Sequence, residues 1–205
     1  MSVITISRQF GAGGRTLGNK LFKKLGYQYV DEDIVEQAAQ EANVSPEGIL
    51  EFENKTRINI LNYLKNLKPF GKSLIERPVT DKTGHIDGYK YVEILHKVIP
   101  KIAAQDNVII VGRGGQYILQ DFEGAFHVLL IAEKEDRIRF IEKKYNLSAS
   151  EAGRWIKNME KRRINLYRYF NRKDYDDMIL YNLTLNMSLV DMDKAVDIIA
   201  GMLGH

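Results

Sequence analysis

The chain has 205 residues, 44% hydrophobic and 28% charged, with 30 Lys and Arg against 27 Asp and Glu and a net charge of +3. That length and balance fit one α/β domain with insertions, and they exclude a disordered, collagenous or low-complexity chain and a pair of full-sized enzymatic domains. The absence of cysteine removes disulfides, thiolate nucleophiles and zinc–thiolate sites together, and His85, His96, His127 and His205 show no ligand spacing, so no structural metal is expected.

No stretch approaches 18 apolar residues, and the start MSVITISRQF lacks a basic-then-apolar leader pattern. The expectation is a cytoplasmic protein with no membrane partner. The first apolar run, Val3, Ile4 and Ile6, predicts a strand, and Gly11, Gly13 and Gly14 a turn. Leu17, Leu21 and Leu25 then predict a helix that stops at Gly26. Tyr27 to Val30 reads as a second strand ending at Asp31, and Ile34 to Ala42 as a helix. From Pro46 the apolar spacing through Leu64 predicts one or two helices, and residues 68 to 88, rich in Pro and Gly, a long loop.

Val92 to Ile102 predicts a helix that Pro100 should kink or end, and Val108 to Val111 a strand buried on both faces. Phe126 to Ala132 is the next strand, and Lys134 to Tyr145 a helix. Ser148 with Glu151 forms a capping box for the following helix. Met178 to Leu185 is a last strand, and Ser188 with Asp191 caps a final helix. Strands alternating with helices imply a parallel sheet covered on both sides.

The segment Ser7-Arg-Gln-Phe-Gly-Ala-Gly-Gly-Arg-Thr16 lies between first strand and first helix, where backbone N–H groups and a helix N-terminus converge on an anion. Gly11, Ala12, Gly13, Gly14, Arg15 and Thr16 are therefore the candidate nucleotide-phosphate residues. Against the standard loop G-x-x-x-x-G-K-[ST], Arg8 stands at the first glycine and Gly14 at the lysine. Arg15 is the nearest cation to replace that lysine, with Arg8 or the lid arginines taking its place if its side chain points away, and Thr16 carries a hydroxyl for Mg²⁺. From Arg154 to Lys173 eight basic residues accompany one acidic residue, Glu160, interleaved with Trp155, Tyr167, Tyr169 and Phe170. That stretch reads as an anion-facing segment, a solvated helix face or a nucleic-acid surface.

Ile-Thr-Ile-Ser-Arg-Gln-Phe-Gly-Ala-Gly-Gly-Arg at 4–15, Val-Ile-Ile-Val-Gly-Arg-Gly-Gly at 108–115 and Tyr-Asn-Leu-Thr-Leu-Asn at 181–186 resemble the cytidylate kinase-like family, a divergent branch of the P-loop nucleoside monophosphate kinases. The resemblance implies one P-loop kinase-like domain over 1–205. Its fold would be a three-layer sandwich on a five-stranded parallel sheet, with a helical acceptor-binding insertion over about 32–90 and an Arg-rich lid over about 148–177. It also implies transfer of the ATP γ-phosphoryl group, with Mg²⁺, to a nucleoside monophosphate such as CMP or dCMP, or to a similar small acceptor.

Phosphoryl transfer needs positioning and positive charge more than a protein nucleophile. By resemblance, Arg163 and Arg168 with Arg15 serve catalysis. Arg162 and Arg172 are their lid neighbours at the substrate, and Arg113 and Asp31 face the acceptor. The chain departs from the cytidylate kinases at Gly114, where they carry Asp, and in lacking an Arg within Asp31 to Gln37. Arg162 to Arg168 also does not keep their lid pattern. Asp174, Asp176 and Asp177 read as solvated charge or as ligands of Mg²⁺ or acceptor. The alternatives are a nucleotide-binding protein of this fold with little or no kinase activity, and nucleic-acid binding through 154–173, which a net charge of +3 argues against.

Overall fold

The computed structural model describes residues 2–31, 33–42 and 88–204. The helices expected over 46–64, nearly all of the loop expected over 68–88, and most of the 32–90 insertion lie outside the described residues, as do His85 and His205.

In chain order, β1 (Val3–Arg8) leads through a glycine turn to α1 (Gly14–Leu25), β2 (Gln28–Val30) and α2 (Asp33–Ala42). After the undescribed stretch come α3 (Gly88–Ala103), β3 (Val108–Val111), the short α4 (Gly115–Ile118) and β4 (Ala125–Ile131). Then follow α5 (Lys134–Tyr145), α6 (Ala149–Tyr169), a 3-10 turn (Met178–Leu180), β5 (Leu183–Asn186) and α7 (Met192–Met202). The five strands form one sheet in the order β2-β3-β1-β4-β5, and every pairing is parallel.

The pleat sends alternate residues of β1 and β3 to opposite cores, which is why β1 is buried from Val3 to Ser7 and β3 is apolar throughout. Val3, Val108 and Ile110 pack with Ile34, Leu95 and Ile99 of α2 and α3. Ile4, Ile6, Ile109 and Val111 pack with Leu17, Leu21, Val196 and Ile199 of α1 and α7. The result is the three-layer α/β sandwich expected. A third cluster joins Ile141 of α5 to Ala152 and Ile156 of α6, with Phe10 of the glycine turn packed against it. In this way the basic helix is fastened to the loop after β1.

Three local expectations are corrected. Helix α3 runs through Pro100 and ends three residues later, at Ala103. Pro100 removes one hydrogen bond near the last turn, on the side of the exposed His96, where the freed carbonyl is open to solvent rather than buried. The strand expected from Met178 begins only at Leu183: the Asp177 carboxylate accepts from the Ile179 N–H and turns Met178–Leu180 into a 3-10 element. Asp191 alone caps α7, accepting from the Lys194 N–H at 2.9 Å. Ser188 instead accepts from the Glu133 N–H at 2.8 Å, tying the end of β5 to the end of β4. The Ser148–Glu151 capping box of α6 is present as expected.

Candidate functional site

The strand order reverses about β1, so the crevice beyond the carboxyl ends of β1, β3 and β4 is where a doubly wound sheet binds ligand. The turn after β1 lies there. It is anchored to β4 by the Gln9 N–H on the Leu130 carbonyl (3.0 Å) and by the Ala132 N–H on Gln9 Oε1 (3.1 Å), and it closes on itself through the Ala12 N–H to the Gln9 carbonyl. Gly11 and Gly13 hold φ of 92° and 90°, in the left-handed region, and both are tightly enclosed. A Cβ at Gly11 would fall 2.8 Å from Arg137 Cβ, and one at Gly13 2.7 Å from Met192 Cε. Gly13 is the N-cap of α1 and offers no side chain to the first-turn N–H groups, and no acidic residue lies in that turn. Among the described residues nothing caps the N–H groups of Gly14, Arg15 and Thr16, which suits them to an anion.

Beside the loop lies a pocket of about 300 Å³. Gly11, Ala12 and Gly13 form its floor, and Phe140 of α5, Val190 of the β5–α7 connection and Met192 of α7 form its apolar wall, with Asp136, Ser188 and Asp191 beside them. Nothing periodic in the sequence marks these wall residues, because they meet only when α5 and α7 flank the same loop.

On the other side of the loop, the carboxyl ends of β2 and β3 bring Asp31 and Arg113 together. Asp31 is 4% exposed, and its carboxylate accepts from Arg15 Nε at 2.7 Å and from Arg113 Nη1 at 2.8 Å. Arg113 also donates to the Asp31 carbonyl. Burial alone would raise the Asp31 pKa, but the charges of Arg15, Arg113 and Arg8 outweigh it and hold it below the ordinary value. The first-turn side chain of Arg15 thus reaches across to β2. Gln116, 1% exposed in the turn after β3, has an amide with no hydrogen-bond partner among the described residues.

Arg15 is turned to Asp31, and Arg8, the cation expected to act if Arg15 points away, lies at this site. Its side chain crosses the mouth of β1 from α1 to β3: a Cβ at Gly14 would lie 2.9 Å from Arg8 Cγ, and one at Gly112 2.0 Å from Arg8 Nη1. The signal was present in sequence, since an arginine at the position of a loop glycine coincides with a glycine at the position of the loop lysine.

The helix α6 does not present its arginines as one free row. Arg163 is held by Glu160 (2.7 Å) and Asp176 (2.7 Å), with its guanidinium 5.8 Å and 5.6 Å from the Tyr167 and Tyr175 rings. Burial would lower its pKa, but the hydrogen bond to Asp176 and the charge of Glu160 raise it above the ordinary value. Arg162 is partly buried against Met159 Sδ, and burial lowers its pKa. Arg168 is exposed and donates to Asn165. Arg172 bonds Gln120 at 2.9 Å and lies 5.0 Å over the Tyr117 ring.

The reading of Asp174 and Asp176 as solvated charge is corrected, while Asp177 is exposed. Asp176 pairs with Arg163, Asp174 lies 3.4 Å from Arg172, and Asp177 caps a turn. Glu160, the lone acid of the basic stretch, accepts from the Phe10 N–H and so ties α6 to the loop. Thr16 Oγ1 accepts from Lys144 Nζ at 3.1 Å, so a lysine of α5 stands at the hydroxyl assigned to Mg²⁺. Among the described residues no group of three or more His, Asp or Glu could hold a metal. Nor is any helix among them long and apolar enough to cross a membrane.

No curated protein matches the sequence. Among solved structures, an uncharacterized protein from Eubacterium ventriosum superposes with a TM-score of 0.69 at 19% identity, covering 99% of this chain and 98% of that one. Shikimate kinase from Bacteroides thetaiotaomicron superposes at 0.53 and 14% identity, covering 100% and 99%. These likenesses establish the P-loop kinase-type fold. The sequence pattern of the cytidylate kinase-like family matches residues 3–189, and the chain belongs to that family.

Proposed function

We propose that this protein transfers the γ-phosphoryl group of ATP to a small anionic acceptor, a nucleoside monophosphate of the CMP or dCMP kind. The observation that carries the reading is the juxtaposition, along one edge of the sheet, of an uncapped glycine loop with a 300 Å³ pocket beside it and an arginine cluster around Asp31. The loop N–H groups hold the donor's phosphates, and the enclosed Gly11 and Gly13 let the backbone approach them closely. The apolar wall of Phe140, Val190 and Met192 suits a base. Arg113 and Arg15, oriented by Asp31, bind the acceptor's phosphate, and the unpartnered Gln116 amide offers a donor and an acceptor to its uncharged part.

The acceptor oxygen is the nucleophile, so the protein's work is to align the two substrates and neutralise charge on the transferred group. In this reading Mg²⁺ would be held by nucleotide oxygens and by Thr16 Oγ1, as suits a metal that is rarely caged by protein alone, and would neutralise phosphate charge. Lys144 must leave that hydroxyl for it to do so. Segment 148–177 acts as the lid, with Arg168 and Arg162 as its cations and Arg163 positioning the Glu160 anchor on the loop. The 32–90 insertion is assigned to the acceptor.

ADP release measured with Mg-ATP and a panel of nucleoside monophosphates and other small acceptors tests the reading. Turnover with a monophosphate is expected, and no turnover with any acceptor from folded protein overturns it. The second reading, nucleotide binding with little catalysis, is favoured by the two carboxylates that neutralise Arg163. It predicts thermal stabilisation by nucleotide without product. Nucleic-acid binding finds less support, because Tyr167 is 1% exposed and Trp155 packs on Phe10 and Tyr145 rather than offering a stacking face.

A further inference from the structure

We propose that Arg8, the last residue of β1, supplies the cation at the phosphate loop, and that Arg8 and Gly14 are one linked exchange in which the charge has moved from the helix side of the loop to its strand side. The proposal rests on the nucleotide-binding reading above. Its basis is steric before it is electrostatic. A Cβ at residue 14 would meet Arg8 Cγ at 2.9 Å, Cδ at 3.0 Å and Cβ at 3.3 Å, so the Arg8 stem fills the space through which a lysine at 14 would leave the backbone. The two residues cannot both be large. At the far end, a Cβ at Gly112 would fall 2.0 Å from Nη1 and 3.2 Å from Cζ, so the end of β3 is kept bare for the guanidinium. Gly112 has φ of 80°, so a side chain there is excluded twice over.

Among the described residues no hydrogen bond or ion pair takes up the Arg8 donors, although Asp31 is near enough to raise its pKa. Burial, the dominant influence, lowers that pKa, and Arg15 and Arg113 lower it further. The Asp31 carboxylate is already shared by Arg15 and Arg113. Three guanidinium groups around one carboxylate leave an excess of positive charge, and an arginine stays protonated rather than give up its proton. Among the described residues no second anion offsets that excess. Arg8 stands between the glycine loop and the Asp31–Arg15–Arg113 group, so the anion it fits is a phosphoryl group shared by both sides, the one in transfer. A planar guanidinium there can hold two of its oxygens at once.

The test is calorimetric titration of ATP, ADP and AMP, each with Mg²⁺, into the full chain, with melting temperatures recorded alongside. Arg8→Met keeps the apolar stem and removes the charge. It is expected to weaken ATP binding about ten- to a hundredfold, to change AMP binding less than about threefold, and to leave the ligand-free melting temperature unchanged or higher. Gly14→Lys alone is expected to lower the melting temperature and gain no affinity. Arg8→Gly combined with Gly14→Lys is expected to bind ATP within about fivefold of wild type. This combination keeps the proposal testable should Arg8→Met fail to fold.

ATP affinity of Arg8→Met within about twofold of wild type overturns the proposal, as does an equal loss for all three nucleotides together with a lower melting temperature, which marks a structural role. A double variant no better than Arg8→Gly alone overturns the exchange. Wild-type protein that binds neither ATP nor ADP overturns the underlying reading and the proposal with it, and that result is distinguishable because it appears before any substitution.

Discussion

Asp31 is the sole carboxylate described within the arginine cluster, and Asp31→Asn removes its charge with little change of shape. The Asp31 side chain is 5% exposed, the Arg113 side chain 11% and the Arg15 side chain 51%. Breaking a fully buried pair costs about 3–5 kcal/mol because a charge is left without compensation. Here Arg113 keeps its bond to the Asp31 carbonyl, and water reaches Arg15, so we expect about 2–3 kcal/mol. For a chain of this length that lowers the melting temperature by about 4–12 °C. The Asp31 pKa is depressed in the folded state, so its contribution is fully present above its ordinary value of 3.8 and is lost as pH falls through the lower folded value. Differential scanning fluorimetry at neutral pH measures the loss. Inorganic phosphate should restore part of it by supplying the missing negative charge. A melting temperature within about 1 °C of wild type, or no greater response to phosphate than wild type shows, would refute the account of a cation cluster held by one carboxylate.

His127 is 7% exposed on β4 with Nδ1 2.7 Å from Thr5 Oγ1, and burial depresses its pKa below 6.5. The unfolded chain therefore takes up the proton first, stability falls as pH drops below 6.5, and a melting curve series from pH 7.5 to 5 should lose that slope in His127→Gln. Gly114, with φ of 73°, would place a Cβ 2.5 Å from Phe170 Cζ, so Gly114→Ala should cost about 1–3 kcal/mol in urea unfolding. Ser148→Ala removes the capping box of α6 and should cost about 1 kcal/mol in the same assay, and about 2–4 °C in thermal unfolding.

The alternation of strands and helices was legible because each signal is local. Val3, Ile4 and Ile6 open β1, Val108–Val111 is apolar on both faces, the leucines of α1 recur at helical spacing, and Ser148 lies three residues before Glu151. The misplaced strand start at Met178 shows the limit of that logic. Three apolar residues look alike in a strand or a 3-10 turn, and Asp177 decides between them by capping Ile179. The candidate site divides the same way. Its glycine loop was legible, since strand, glycines and helix follow in series. The destinations of its charges were not, because they depend on which elements become neighbours. Asp176 lies thirteen residues from Arg163 and Glu160 lies 150 from Phe10, yet these contacts decide which arginines of the basic helix stay available.

The same dependence explains why the nearest cation in sequence is not the one over the loop. Arg15 and Gly14 are adjacent on α1, and a helix turns about 100° between neighbours, so a side chain at 15 leaves α1 toward β2 when one at 14 would leave toward the loop mouth. Asp31 at the tip of β2 then completes the diversion by accepting from Arg15 Nε. A strand has no such rotation: alternate residues point to opposite faces, and the last residue of β1 emerges where the sheet ends. An arginine there reaches across the mouth only if the residues on both sides are glycine, and Gly14 and Gly112 meet that condition. Sequence distance along the loop is thus a poor guide to reach, and the pattern to read is a large cation matched by two bare positions on different elements.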